Sequence, residues 1–89
     1  MATVHLLISG KVQGVFYRAS AKEKADELQL TGFVQNTANG QVEAVASGDD
    51  KAVEQFIEWC KKGPKRAVVQ NVAIAKIEAV VYETFVIKR

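Results

Sequence analysis

The chain has 89 residues with a formal net charge of +2, and 48% of them are hydrophobic and 25% charged. This balance excludes a disordered tail, and the small charge gives no electrostatic reason to expect a nucleic-acid partner. Because no stretch rich in proline, glycine or serine divides the chain, we expect one domain over residues 1–89.

The cysteine content and the N-terminal segment bear on the compartment. Cys60 is the single cysteine, so no disulfide can form within the chain, and a reducing compartment is expected. The apolar run near the N-terminus follows no basic region and is too short for a signal sequence or a membrane span. We therefore expect a cytoplasmic protein that does not associate with membranes.

The first predicted strand leads directly into a glycine-containing loop. Residues 4–9 alternate between two faces, and the apolar positions are Val4, Leu6 and Ile8. The segment Gly10–Arg18 follows, with the sequence Gly-Lys-Val-Gln-Gly-Val-Phe-Tyr-Arg. Glycines let a backbone approach a ligand closely, and loop N–H groups can converge on an anion. Since Arg18 adds a permanent charge and a fork of donors, the segment predicts an anion-binding loop.

A helix and a hairpin are expected next. Ser20 and Glu23 have the spacing of a capping box, which predicts a helix over about residues 20–30, and Thr31-Gly32 is expected to end it. Residues 33–37 and 41–47 are expected to form antiparallel neighbouring strands. They are joined by an Asn39-Gly40 turn.

The second half of the chain predicts another helix and two strands. Gly48-Asp49-Asp50 supplies a cap and first-turn acids, and Gly63-Pro64 ends the helix. Its apolar stripe consists of Val53, Phe56, Ile57 and Cys60. A strand is expected over residues 67–79, with a bulge near Asn71 where the alternation slips, and a short one over residues 84–88.

The order β-α-β-β-α-β with a short C-terminal strand predicts an α+β protein with the ferredoxin-like split β-α-β fold. In this arrangement two helices cover one face of an antiparallel sheet. A β-α-β unit returns the chain in its original direction, so the first two strands end at the same edge. We therefore expect Asn36 to lie near the Gly10–Arg18 loop. Its amide could orient a water there without acting as a strong base.

The residues Gly10–Arg18, followed by Gly32-Phe-Val-Gln-Asn-Thr37 and Gly40-Gln-Val-Glu-Ala44, resemble the acylphosphatase family. The similarity extends through Gly63-Pro64 to the closing strand. It implies a small metal-free hydrolase without a cofactor that cleaves the carboxyl-phosphate bond of small acyl phosphates. Inorganic phosphate is then the product and an expected inhibitor.

The resemblance also implies which residues form the site. Arg18 and Asn36 take the catalytic roles, with the arginine on the phosphate and the asparagine on the attacking water. The phosphate is expected in a loop whose members are Gln13, Gly14, Val15, Phe16, Tyr17 and Arg18. The chain departs from the family at Gln35, where a basic residue often stands, and this lowers the positive potential expected at the rim.

The chemistry of the substrate agrees with this set of residues. An acyl phosphate has a good carboxylate leaving group, so the site needs to neutralise phosphoryl oxygens and hold a water in line rather than supply strong acid catalysis. Neither motif contains a histidine or a carboxylate. We therefore hypothesise that the proton of the water passes to a phosphate oxygen of the substrate.

Three alternatives remain at this stage. An RNA recognition motif has the same element order, but it stacks bases on aromatic residues of its central strands, and neither strand one nor residues 41–47 contain any. A regulatory or carrier domain could bind an anion without turnover. The Gly10–Arg18 segment could also be a structural turn whose arginine forms a surface ion pair.

Other polar side chains are expected to have structural roles. His5 should lie on the uncovered sheet face, Cys60 in the core, and Trp59 along a helix edge. The basic residues that follow it are expected to form a solvated helix end; they are Lys61, Lys62, Lys65 and Arg66. We expect a monomer.

Overall fold

The computed structural model describes residues 1–79 and 82–88. The helices are α1 (Tyr17–Glu27) and α2 (Asp50–Lys62). The strands are β1 (Ala2–Lys11), β2 (Thr31–Asn36), β3 (Val42–Gly48), β4 (Val68–Lys76) and β5 (Phe85–Ile87). The element order is that of the predicted ferredoxin-like fold, which is confirmed.

The strands form one sheet in the order β4-β1-β3-β2-β5. All neighbouring pairs are antiparallel except β2 and β5, which run parallel, so the expectation of a wholly antiparallel sheet is wrong at this edge. Val42 on β3 pairs with Ile8 on β1 and with Asn36 on β2. This register brings the ends of β1 and β2 to the same edge, as predicted.

Both helices pack on one face of the sheet. Helix α1 contacts β2 and β5, α2 contacts β1 and β4, and the two helices also touch each other. Side chains from α1, α2 and the sheet share one buried cluster, which includes Leu6, Ile8, Ala21, Ala25, Val34, Val53, Phe56, Cys60 and Phe85. Burial of apolar surface is the main stabilising contribution to such a small domain.

The bounds of α1 differ from the prediction. The helix begins at Tyr17 instead of residue 20, and its N-cap is Phe16, which makes no side-chain cap hydrogen bond. The Ser20–Glu23 capping box is therefore wrong, because the Ser20 N–H already donates to the Phe16 carbonyl within the helix, at 3.0 Å. The helix ends at Glu27, before the predicted Thr31-Gly32 break. Those two residues instead start β2.

The second helix and the hairpin follow the prediction more closely. The Asp49 carboxylate accepts from the Lys51 N–H and caps α2, which ends before Gly63. The turn between β2 and β3 is closed by a 2.9 Å hydrogen bond from the Thr37 N–H to the Gln41 carbonyl. The predicted caps and turn are thus formed by the residues named for them.

The bulge expected near Asn71 is present between β1 and β4. Ser9 pairs with Asn71 and Gly10 with Val69, so Gln70 is the extra residue. Gly10 therefore belongs to β1 and not to the anion-binding loop for which it was predicted. A Cβ at Gly10 would lie 2.2 Å from the Val68 carbonyl oxygen, so this glycine serves the close approach of two strands.

Candidate active site

A cavity of about 310 Å³ lies at the sheet edge where β1 and β2 end. It is lined by Val12, Gly14, Phe16, Tyr17, Arg18, Ala19, Asn36 and Ile87. The two residues predicted to be catalytic, Arg18 and Asn36, thus line one cavity although 18 positions separate them in the sequence. The volume falls in the range of small-molecule sites, roughly 300 to 1,000 Å³.

The loop between β1 and α1 has the backbone of an anion-binding concavity. Gly14 has a φ of 74° and Phe16 a φ of 63°, whereas Val15 between them is not in the positive-φ region. Alternation of this kind turns successive N–H groups toward one side of the chain. A Cβ added at Gly14 would meet nothing within 4 Å, so the glycine is required here by its backbone conformation and not by crowding.

The N-terminus of α1 adds donors to the same cavity. The helix ladder starts with the Ser20 N–H, so the N–H groups of Tyr17, Arg18 and Ala19 have no partner within the helix. The first turn of α1 contains no acidic residue. The positive end of the helix dipole therefore faces the cavity without a nearby carboxylate of its own.

Arg18 and Asn36 differ from ordinary surface side chains. Both are half-buried, and within residues 1–79 and 82–88 no carboxylate lies within 4.0 Å of the Arg18 guanidinium. The Oδ1 atom of Asn36 is buried and accepts no hydrogen bond. A buried acceptor without a partner is uncommon, and in a cavity it indicates a place for a donor from a ligand or water.

Gln13 fixes the loop to the hairpin that follows Asn36. Its Nε2 donates to the carbonyl oxygens of Thr37 at 2.9 Å and Gln41 at 2.8 Å. The Gln41 side chain in turn donates to Ser9 Oγ at 2.8 Å, which adds a link to β1. The side chain of Gln13 is thus committed to the protein, and only its backbone can serve the predicted phosphate loop.

Val15 and Tyr17 also contribute to the loop through their backbones. Val15 is buried, and the Tyr17 hydroxyl donates to the Cys60 carbonyl at 2.7 Å while its ring lies 5.4 Å from that of Trp59. Burial raises the pKa of the Tyr17 hydroxyl well above its usual value. Tyr17 therefore anchors the start of α1 to the end of α2.

His5 and Gln35 lie on the opposite face of the sheet. His5 Nε2 donates to Glu43 Oε2 at 2.8 Å, and Gln35 Nε2 donates to Glu43 Oε1. The hydrogen bond from His5, with a further contribution from Gln35, lowers the pKa of the Glu43 carboxyl. Since neither His5 nor Gln35 lines the cavity, the expectation that His5 occupies the uncovered face is confirmed.

Sequence reasoning missed two contributors to the site. Ile87 reaches the cavity because β5 pairs with β2 next to Val34, and the short C-terminal strand gave no sign of that contact. The bracing role of the Gln13 side chain was also missed, because its partners are backbone carbonyls 24 and 28 positions away. Neither feature has a local sequence signal.

The described helices include none that is both long and apolar enough to cross a membrane. In the described part of the chain, no group of three or more His, Cys, Asp or Glu side chains is placed to hold a metal ion. The donors that line the cavity are instead a guanidinium, an amide and backbone N–H groups. Such donors suit the oxygens of an anionic group.

Comparison with known proteins agrees with this geometry. The acylphosphatase family model matches residues 4–87. An acylphosphatase of Marinobacter nauticus is 55% identical over 75 residues, which are 84% of this chain and 82% of the relative. The structure of an acylphosphatase from Coxiella burnetii has a TM-score of 0.95 at 44% identity, covering 98% of this chain and 92% of that one.

The acylphosphatase of Bacillus subtilis has a TM-score of 0.96 at 29% identity, and the match covers 100% of both chains. The two solved structures therefore share the whole fold, including the edge that carries the cavity. The chain belongs to the acylphosphatase family, and its function is that of an acylphosphatase, a hydrolase.

Proposed function

We propose that this enzyme hydrolyses small acyl phosphates with Arg18 and Asn36 as its catalytic residues. The phosphoryl group is held by the Arg18 guanidinium and by backbone N–H groups of residues 13–18. Asn36 orients the attacking water. The observation that carries this proposal is the buried, unpartnered Oδ1 of Asn36 in the cavity that Arg18 also lines.

The proposed reaction is an in-line displacement at phosphorus. The oxygen of the water forms a bond to phosphorus while the bond between phosphorus and the bridging oxygen breaks, and the electron pair of that bond leaves with the carboxylate. One proton of the water passes to a phosphate oxygen of the substrate, and inorganic phosphate and the free carboxylate are the products. Asn36 Oδ1 accepts a hydrogen bond from the water and so fixes its direction of attack.

The donors of the site are matched to the charge of this reaction. Negative charge is spread over the phosphoryl oxygens in the transition state, and a fixed guanidinium with preorganised N–H groups stabilises it without reorganisation. No carboxylate or imidazole is among the residues that line the cavity. This set supports a reaction in which the substrate itself accepts the proton and no metal is needed.

The proposal extends to the organisation of the protein. The residues that line the cavity all come from one chain, which supports a monomer with a single acylphosphatase-like domain. Cys60 is buried as a free thiol, which is compatible with work in the cytoplasm. No nucleic acid or membrane is part of the proposed reaction.

Hydrolysis of acetyl phosphate by the purified protein tests the proposal. We expect turnover that continues in the presence of EDTA, competitive inhibition by inorganic phosphate, and a loss of at least ~10²-fold in kcat/KM for Arg18→Ala. Arg66→Ala is the matched control, since Arg66 is exposed and does not line the cavity. An unchanged rate in Arg18→Ala, or turnover that stops on chelation, would refute the proposed site.

A further inference from the structure

The cavity has an apolar wall that the proposed reaction does not use. Phe16 and Ile87 line it together with Arg18 and Asn36, and Val12 lies at its buried base. Phosphoryl oxygens and a water need polar partners, which Arg18, Asn36 and the loop N–H groups supply. The cavity is also larger than a phosphate group alone would fill. An apolar part of the ligand is therefore required to account for this wall.

The backbone at Phe16 makes its side chain conspicuous. Phe16 adopts φ 63° and ψ 23°, a left-handed conformation that glycine enters freely and bulky side chains rarely do. The alternation of φ in the loop accounts for the conformation but not for the ring, because a glycine would provide the same backbone. Strain retained at a cavity points to a role for the side chain.

Packing within the protein does not account for the ring either. The Phe16 side chain is 68% exposed, so it contributes little to the core. In residues 1–79 and 82–88 its ring stacks on no other aromatic ring, whereas Tyr17, Phe33 and Phe56 each pair with another. Its apolar surface is thus available to a molecule in the cavity.

We propose that Phe16 and Ile87 form a binding surface for the acyl group, so that the enzyme favours acyl phosphates with aromatic or extended apolar acyl groups. The inference rests on the proposed function, since it assumes that the phosphate end is held by Arg18 and the loop. Those polar groups meet the same phosphate in every substrate and cannot distinguish one acyl group from another. Discrimination therefore falls to the apolar wall, where an aromatic ring gains contact area and a favourable ring pairing with Phe16.

The kinetic test compares benzoyl phosphate with acetyl phosphate. Their intrinsic reactivities differ, so the quantity of interest is how the ratio of the two kcat/KM values changes between variants. We expect the benzoyl/acetyl ratio to fall about 3- to 10-fold in Phe16→Ala and equally in Phe16→Gly, because both lose the ring. Phe16→Tyr should keep the wild-type ratio.

The glycine variant separates the ring from the backbone. Phe16→Gly also relieves the left-handed strain, so a ratio that changes only in this variant would be a backbone effect and would overturn the proposal. A ratio unchanged in both variants would overturn it as well. Val68→Ala is the control, because Val68 is 57% exposed and does not line the cavity; its ratio should equal that of the wild type.

A binding measurement separates failure of this inference from failure of the proposed reaction. Phenacylphosphonate and acetonylphosphonate carry a methylene in place of the bridging oxygen and cannot be hydrolysed in the same way. By calorimetry, we expect the wild type to bind the phenacyl compound more tightly and Phe16→Ala to lose that preference. This preference supports the apolar wall even if neither substrate is turned over, and equal affinities for both compounds in the wild type would overturn it.

Discussion

The Gln13 side chain lies between the loop and the hairpin of the site, with its Nε2 2.9 Å from the Thr37 carbonyl oxygen. Thr37 directly follows Asn36, and Gln13 lies within the loop that ends at Arg18. The same Nε2 also donates to Gln41. One side-chain amide therefore sets the spacing between the two halves of the site.

Replacing Gln13 by leucine should reduce activity more than stability. The substitution removes both hydrogen bonds to the hairpin, so the loop and Asn36 lose their fixed spacing, and a displacement of about 1 Å in a positioned site lowers rates by up to about 10²-fold. We expect kcat/KM for acetyl phosphate to fall about 10- to 100-fold. Steady-state kinetics and thermal unfolding measure the two effects.

The control for Gln13 is Gln55→Leu, an exposed glutamine on α2. This variant should keep wild-type kinetics. If Gln13→Leu also kept full kcat/KM, the hydrogen bonds of Gln13 would have no part in positioning the site.

The rate should be independent of pH near neutrality. The residues that line the cavity include no carboxylate, imidazole or thiol, and the raised pKa of Tyr17 keeps its hydroxyl protonated. We therefore expect kcat/KM to stay constant between roughly pH 6 and 8, since no protein base has to be ionised. His5→Gln should give the same profile, because His5 lies on the opposite sheet face. A titration step that disappears with an enzyme side chain would show a protein base instead.

The Glu43 carboxylate should contribute stability that depends on pH. The hydrogen bonds from His5 and Gln35 lower its pKa in the folded chain below the usual 4.5, so the folded state favours the ionised form. This stabilisation is present above the unfolded pKa and is lost as the pH falls through the lower folded pKa. We expect Glu43→Gln to lower the free energy of unfolding by about 1 kcal/mol at pH 7, and by much less at pH 3.

Urea unfolding at both pH values checks this expectation. Glu54→Gln is the comparison variant, since Glu54 is an exposed residue of α2. Equal effects of Glu43→Gln at pH 7 and pH 3 would mean that ionisation of Glu43 is irrelevant to stability.

Cys60 should be inert in the folded protein. The side chain is fully buried, and burial raises the pKa of its thiol to about 12, whereas the thiolate is the reactive form. We expect a thiol reagent such as DTNB to react slowly at pH 8 in buffer and quickly in denaturant. Fast reaction of the native protein would place Cys60 at an accessible surface.

The parts of the fold with local signals were predictable, and those with distant partners were not. Asp49 and the Asn39-Gly40 turn have strong positional preferences, so the start of α2 and the hairpin followed from the sequence. The start of α1 did not, because a left-handed phenylalanine caps it and the Ser20–Glu23 spacing indicated a later start. A competing local pattern therefore hid a boundary determined by the loop.

The site was predictable to a similar degree. The β-α-β connection places Asn36 and Arg18 at one edge whatever the side chains, and the structure brings both to one cavity. The parallel pairing of β5, which carries Ile87 to that cavity, depends on tertiary packing and was not predicted. The misassignment of Gly10 had the same origin, since its close contact is with β4, nearly 60 positions away.

The central claim is that Arg18 holds the phosphate while Asn36 directs the water, and the inhibition constant of inorganic phosphate measured beside kcat tests it most directly. For Asn36→Ala we predict a fall in kcat of ~10²-fold or more with an inhibition constant close to that of the wild type. For Arg18→Ala we predict weaker phosphate inhibition together with the loss of rate. An Asn36→Ala variant that keeps its kcat, or one that loses phosphate inhibition as fully as Arg18→Ala does, would contradict this division of roles.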